Sequence, residues 1–387
     1  MKKVLVIVVT YNGMRWLERC LGSVISAQAG HLQADLYVFD NDSQDGSADF
    51  VQTHFPDARL IRSAENLGFS KANNQGIRYA LENGYDYVYL LNQDAWLAPG
   101  SLETLVAATE AHPDFAVLSP LQMTDGYKSL DTQFSKIFRY PAPQNDLFSA
   151  TENGSRRTDG PESVSVGPEN GGRSTDTPES VSVGPENGGR RTDGPESVSV
   201  GPENGSRSTN AAESVSVTAE NGSRSTNATE LVAVTAENGS RSTNATELVA
   251  VRRVMAAHWL VPVGALRRIG LFGEELFPLY GQDDDWCNRA RYHGLKIGVV
   301  PAAKAVHDRA QRAEARERII DRNYYTGSLV RLCDINRPLW ERFCYVCLFT
   351  AVKAVKYHSL GVLRYFRLIC RQLPAIREHR RNSRRFV

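Results

Sequence analysis

VLVIVVTYNG, residues 4–13, sets six apolar residues in a row, five of them β-branched, ahead of a polar turn. Such a run suits a strand buried on both faces, because a half-exposed strand would alternate apolar with polar positions. It is too short for the apolar core of a signal peptide, and no small-residue cleavage site follows, so it is read as the first strand of a fold. Downstream, Trp16, Leu17, Cys20, Leu21, Val24 and Ile25 recur at helical spacing. ADLYVFDNDSQDGS, residues 34–47, then gives a second strand over 36–39 that releases Asp40, Asn41 and Asp42 at its carboxyl end. Asp45, Gly46 and Ser47 read as the turn and cap of another helix. The cycle repeats through a short strand at 59–62, a helix at 71–82 and the strand in YDYVYLLNQDA, residues 85–95. Strand and helix alternating at this spacing predict an α/β fold on a mostly parallel, doubly wound sheet.

The 387 residues are 41% hydrophobic and 23% charged, an ordinary balance for a protein that buries a core. The net charge of +1 conceals a division: residues 337–387 carry twelve Lys and Arg against two Asp and Glu, a basic tail. Six cysteines are scattered, and only Cys344 and Cys347 form a CxxC, with no second pair. They read as reduced thiols of a cytoplasmic protein rather than as a zinc site. From Glu152 the chain changes character. A unit that begins as ENGSRRTDGPESVSVGP recurs six times at a period of 17, at Glu152, Glu169, Glu186, Glu203, Glu220 and Glu237. Its Gly, Pro, Asn, Ser and Thr content either leaves the array disordered or allows one short strand per copy, SVSV or LVAV, in a solenoid or meander. Its glycosylation-type sequons have no secretory context. The globular pattern then resumes, which makes the array an insertion whose two ends must come close together.

In open α/β sheets ligands collect beyond the carboxyl ends of the strands. Three polar clusters are expected there: Thr10, Tyr11 and Asn12; Asp40, Asn41 and Asp42; Asn92, Gln93 and Asp94. A single strand-end Asp reads as readily as a helix cap, but three such clusters favour a ligand site. After the insertion, YGQDDDWCNRARYHG, residues 280–294, crowds three carboxylates, each raising the cost of ionising the next. A helix follows, with Trp286, Ala290 and His293 on one face and Gly294 as its stop. Taken in order, VVTYNG, VFDNDSQDGS, ENLGFSKANNQGI, YLLNQDAWL and YGQDDDWCNRARYHG with a later Val-His resemble the motifs of the family 2 glycosyltransferases. These are inverting enzymes of the GT-A fold, and the resemblance is strongest to their rhamnosyltransferase-like bacterial members. It covers roughly residues 1–125 and 254–310 and leaves out the repeats and the basic tail.

The resemblance implies roles. Thr10, Tyr11 and Asn12 line the nucleotide pocket, and Asp40 accepts a hydrogen bond from the ring N–H of a uracil- or thymine-type base. Asn66, Gly68, Lys71, Asn73 and Asn74 border the diphosphate and sugar, Gly68 by admitting a bulky ligand close to the backbone. By themselves these residues also read as a loop and a helix start, and Lys71 as a surface charge. Asn92, Gln93 and Asp94 stand where the family carries a metal-binding Asp-x-Asp. Asp94 then holds a divalent metal, Mg²⁺ or Mn²⁺, while Asn92 keeps an oxygen without the charge and, with Gln93, faces the nucleotide sugar. His307 matches a histidine that completes the metal site in some members, or is a hydrogen-bonded structural residue. Asp283 takes the place of the general base, with Gln282 where the family has Glu, and its crowded neighbours raise its pKa. Asp285 reads as a cap of the helix that carries Trp286. His258 and Trp259 either shape the sugar pocket or pack in the core.

The expectation is therefore a GT-A fold with a Rossmann-like, mostly parallel sheet, a repetitive insertion and a basic helical carboxyl-terminal tail. Residues 1–143 form the nucleotide-sugar-binding half, 144–253 the insertion, 254–330 the acceptor-side half with the catalytic base, and 331–387 a basic amphipathic helical region. The implied reaction is inverting, metal-dependent transfer of a sugar from a nucleoside-diphosphate donor to a saccharide or lipid-linked acceptor, in cell-surface polysaccharide synthesis. A nucleotidyltransferase on the same fold would carry a glycine-rich, basic phosphate loop, and TYNGMRW is not one. An inactive binding or repeat-display protein stays open because of Asn92 and Gln282. The basic end reads either as an amphipathic helix on an anionic membrane or as a packed helix with a solvated tail. Its longest uncharged apolar stretch, 343–352, is about half of what spans a bilayer. No base-reading module accompanies the charge, so nucleic acid is not an expected partner. The expected location is cytoplasmic, against the inner face of the cytoplasmic membrane.

Overall fold

In the computed structural model of the chain, the opening run lies in β1 (Lys2–Thr10), with residues 4–8 fully buried. The structure describes residues 1–27, 32–138, 248–308, 316–357 and 361–385. Alternation along the strand explains the apolar run. Leu5 and Ile7 point into one core and Val4, Val6 and Val8 into another, so every position must be apolar.

The chain continues through α1 (Met14–Ser26), β2 (Leu32–Asp40), α2 (Ser47–His54), β3 (Arg59–Arg62), α3 (Gly68–Glu82) and β4 (Tyr87–Asn92). β5 (Ala95–Leu97), α4 (Ser101–Ala111), β6 (Phe115–Met123) and α5 (Phe134–Ile137) precede the repeats. β7 (Val249–Val251), β8 (His258–Pro262), α6 (Val263–Ile269), α7 (Gln282–Tyr292) and β9 (Lys296–His307) follow them. Four helices close the chain: α8 (Arg316–Cys333), α9 (Leu339–Tyr357), α10 (Gly361–Arg371) and α11 (Leu373–Ser383). The sheet runs β3-β2-β1-β4-β8-β6-β9-β5, and β7 pairs with β9. β1, β2, β3 and β4 are parallel neighbours, and β8 lies antiparallel between β4 and β6. That reversal leaves β6 and β9 running in the same sense as β1, so their carboxyl ends share one edge. This is the α/β, mostly parallel architecture expected of a GT-A fold.

Helices cover both faces. α3, α6 and α7 supply Ile77, Leu266 and Trp286 to one core, and α1, α2 and α4 supply Leu17, Val51 and Leu105 to the other. A third cluster joins Phe277 to α8–α11 through Tyr324, Leu332, Val346, Ile369 and Ile376. The second strand and third helix begin earlier than their sequence patterns suggested, at Leu32 and Gly68. The insertion also ends differently: Val249–Val251, from the last copy's LVAV, is strand β7 of the sheet, so the boundary expected at 253 falls after an element of the fold. The other copies, and the choice between disorder and stacked strands, lie outside the described residues. Among the described residues no helix is long and apolar enough to cross a membrane.

Candidate functional site

Strand register brings the three clusters together at the carboxyl edge. Thr10 pairs with Asp40, Val9 with Asn92, and Ala95, next to Asp94, with His307. Several of the polar groups then brace one loop against another. Gln93 Oε1 accepts from the Thr10 hydroxyl at 2.9 Å and the Tyr11 amide at 2.8 Å, and Gln93 Nε2 donates to the Tyr11 carbonyl at 3.3 Å. A Cβ at Gly13 would strike that same Gln93 oxygen. Asn12, at φ 50°, accepts from the Gln44 amide at 2.8 Å and donates its own amide to Ser43 Oγ at 3.0 Å. Asp45 accepts from the Met14 amide at 3.0 Å as well as from the Ser47 amide at 3.1 Å, so it links α1 to α2. The side chains of Asn12 and Gln93, expected to face a nucleotide sugar, are thus engaged in holding the 10–14 loop. Asp40 is different. Its Oδ2 accepts from the Ser43 amide at 3.2 Å, but its buried Oδ1 has no partner among the described residues. A buried acceptor in that state is free to take a hydrogen bond from an incoming donor. The Tyr11 ring, 47% exposed, lies at the same loop.

The ENLGFSKANN stretch behaves otherwise than expected. Asn66 Oδ1 accepts from Asn41 Nδ2 and from the Gly68 amide, each at 2.9 Å. Gly68 has φ +75°, and a Cβ there would lie 2.8 Å from the Pro278 carbonyl oxygen. Its freedom admits a neighbouring backbone, not a ligand. The Ser70 amide donates to that carbonyl at 3.1 Å, and the Ser70 hydroxyl donates to the Phe277 carbonyl. Asn74, fully buried, accepts from the Phe272 amide at 3.0 Å and donates to the Phe272 carbonyl at 3.0 Å and Glu274 at 2.6 Å. Asn73 donates to the Phe69 carbonyl at 2.9 Å. Gly68, Asn73 and Asn74 are fasteners of α3 and of the 270–281 loop; of this group Asn66 and Lys71 are exposed.

That loop delivers α7. The helix descends to Leu295, whose amide bonds the Ala290 carbonyl, just before β9 begins; its first turn is therefore at the carboxyl edge, with Asp94. Asp283 is half-buried and accepts from the Asp284 amide at 3.0 Å. Burial first, and the charge of Asp284 second, push its carboxyl up to about 7 against the pull of Arg253. Arg253, two residues past β7, pairs with Asp284 at 2.6 Å. The buried Gln282 Oε1 has no partner among the described residues. Asp285 is not a cap. It is buried, ion-paired to Arg289 and hydrogen-bonded to His379 Nε2, both at 2.9 Å. Burial acts to raise its carboxyl, but His379 and Arg289 beside it outweigh burial and hold it below the ordinary value. Asp285, Cys333 and His379 cluster within 4.8 Å, yet Arg289 already occupies the carboxylate, which makes this a structural junction of α7, α8 and α11 rather than a cation site.

Asp94 and His307 do suit a cation. Their Oδ1 and Nε2 lie 3.5 Å apart, a separation that two ligands with bonds of about 2.0–2.2 Å take around one ion. His307 is buried with its Nδ1 unpartnered among the described residues, and carboxylate with imidazole is a donor set for Mn²⁺ or Mg²⁺. Asp308 adjoins them: its amide donates to the Asp94 carbonyl at 2.8 Å, and its carboxylate accepts from the Trp16 indole at 2.9 Å. His258 lies behind, fully buried, with Nε2 3.0 Å from the Val306 carbonyl and Nδ1 2.9 Å from the Tyr89 hydroxyl. Since a carbonyl only accepts, Nε2 carries the proton and Nδ1 accepts from Tyr89. Burial pushes this ring down to about 3, so it is neutral. His258 and Trp259 are core residues, not pocket walls. Arg253, Asp308 and His379 escaped the sequence reading; only the Arg-Arg pair just after the insertion signalled anything, as a charge in search of a partner.

Residues 5–156 match the model of glycosyl transferase family 2. The N-acetylglucosaminyl-diphospho-decaprenol L-rhamnosyltransferase of Mycobacterium tuberculosis is 31% identical over 124 residues, 30% of this chain and 40% of that protein. The undecaprenyl-phosphate mannosyltransferase of Micrococcus luteus is 30% identical over 109 residues, 27% of this chain and 44% of that protein. The chain thus spans less than half the length of the curated relatives it matches. Solved structures with a similar course include GalNAc-T7 with UDP, GalNAc and Mn²⁺, at TM-score 0.46 and 12% identity, covering 79% of this chain and 44% of that one. S. aureus TarS 1-349 scores 0.46 at 13% identity, covering 88% and 68%. At that distance no residue correspondence is drawn.

Proposed function

We propose that the chain, whose residues 5–156 match the model of glycosyl transferase family 2, transfers a sugar, with inversion, from a nucleoside-diphosphate donor to a saccharide or lipid-linked acceptor. Cell-surface polysaccharide assembly is the setting. Relatives named for decaprenol- and undecaprenyl-linked substrates support the lipid-linked acceptor. Such an acceptor would place the chain at the inner face of the cytoplasmic membrane, with its basic carboxyl-terminal helices toward the lipid. The observation that supports the reading is Asp283, whose carboxyl burial and the charge of Asp284 push up to about 7, in the first turn of α7.

Asp40 Oδ1 accepts from the base of the donor. Asp94 and His307 would hold a divalent metal, which when bound supplies positive charge against the departing diphosphate. Asp283 takes the proton of the acceptor hydroxyl as that oxygen attacks the anomeric carbon and the bond to the diphosphate breaks. One displacement of this kind inverts the anomeric centre. Arg253 pairs with Asp284 and, by its charge, draws the Asp283 carboxyl down against burial.

The test is a panel of UDP-, GDP- and dTDP-sugars with Mn²⁺, read by donor hydrolysis and by nucleotide binding. Turnover of one donor, abolished by EDTA, is the expected result. Neither binding nor turnover across the panel would overturn it and favour the binding or repeat-display reading that Asn92 and Gln282 keep open.

A further inference from the structure

The most exposed described side chains of α9 are all uncharged. Trp340, Leu348, Val352 and Val355 are 72, 66, 53 and 73% exposed, with Cys344, Tyr345 and Ala351 between them. Positions 340, 344, 348, 351 and 355 follow helical spacing, so they form one stripe, about 22 Å long at 1.5 Å per residue. The opposite side of the helix is packed: Val346 and Thr350 are buried, and Tyr324 of α8 stacks on Phe349. α10, which meets α9 through Phe343 and Phe366, exposes Leu363 and Leu368 among Arg364, Arg367 and Arg371. A continuous apolar stripe of this length on a folded surface marks a contact.

Charge decides what covers it. Residues 337–387 carry twelve cations against Glu341 and Glu378. A second copy laid on this face would bring like charges together, whereas an anionic lipid surface matches both the stripe and the exposed arginines of the neighbouring helix α10. No described helix is apolar enough to cross the bilayer, so the stripe lies in its plane. We propose that α9 docks on an anionic membrane with Trp340, Leu348, Val352 and Val355 among the acyl chains and Arg364, Arg367 and Arg371 of α10 against the headgroup phosphates. The inference deepens the lipid-linked-acceptor reading and rests on it for its purpose, but its measurement needs no sugar transfer.

The test is flotation of the full chain with vesicles of phosphatidylcholine alone and with about 30% phosphatidylglycerol added. Binding is expected to the anionic vesicles and to weaken in high salt. L348E/V355E, and separately Trp340→Ser, should each weaken it at least about tenfold with an unchanged melting temperature. R364Q/R367Q/R371Q should lower binding to anionic vesicles, and Ile25→Glu, at an exposed position of α1, should leave it alone. Equal binding by wild type and L348E/V355E, or no binding to anionic vesicles at low salt, would overturn the proposal. So would a dimer that L348E/V355E dissociates, which would give the face to a second copy. Donor-sugar binding, measured on the same samples, stands or falls independently and tests the transferase reading alone.

Discussion

A base that titrates near neutrality works only on the alkaline side of its own pKa. With Asp283 pushed up to about 7, donor turnover should climb through about pH 7 and level off above it. Asp283→Asn should cut kcat by roughly 10²- to 10⁴-fold with nucleotide affinity retained. Arg253→Ala removes a cation that holds this carboxyl down, so the rising limb should move to higher pH, and Arg253→Lys should restore it; the pH–rate profile checks both. The linkage runs the other way for stability. A carboxyl raised in the folded chain favours folding while protonated and withdraws that contribution as pH rises through about 7, so Asp283→Asn should gain relative stability between pH 5 and pH 8. Asp94→Ala and His307→Ala should each weaken Mn²⁺-dependent nucleotide binding about tenfold or more, read by calorimetry with and without the metal. Asp40 and Asp94 were legible at strand ends because the strand pattern places them there, whereas Asp283 was singled out through the resemblance of its motif. The bracing roles of Gln93 and Asn74 were not, since their partners come from remote chain: Asn74 reaches Phe272, 198 positions on.

Helix α7 is held by contacts at its start. Asp285 and Arg289 are 1% and 4% exposed, so Asp285→Ala would leave an uncompensated buried guanidinium and should cost about 3–5 kcal/mol in urea unfolding. The stabilising share of Asp285 is present at neutral pH and is lost as pH falls through its lowered pKa. Upstream, Gly68→Ala forces a left-handed residue to carry a Cβ against the Pro278 carbonyl. It should cost about 1–2 kcal/mol for the backbone alone, and more for the contact, with a parallel fall in turnover because the 270–281 loop sets α7. Helices with clear apolar periodicity, such as α1 and α7, were readable in the sequence. The start of α3 at Gly68 was not, because the carbonyl that the Ser70 amide reaches there belongs to Pro278.

Across the whole molecule, the described residues fall in one compact unit that the repeats interrupt. The sheet order could not be read from the alternation of elements, because β8 enters between β4 and β6 from beyond the insertion. Removing residues 152–236 while keeping the last copy should therefore leave melting temperature and donor turnover unchanged. Extending the cut through Val251 removes β7 and its fully buried Val249, and should lower the melting temperature measurably. The strand at the exit of the array has one further consequence. Residues 226–234 and 243–251 are the same nine letters, so a replication slip that gains or drops a unit keeps the codon phase and still hands Val-Ala-Val to its place beside β9. The gene is free to drift in length, allele by allele, over an unaltered fold.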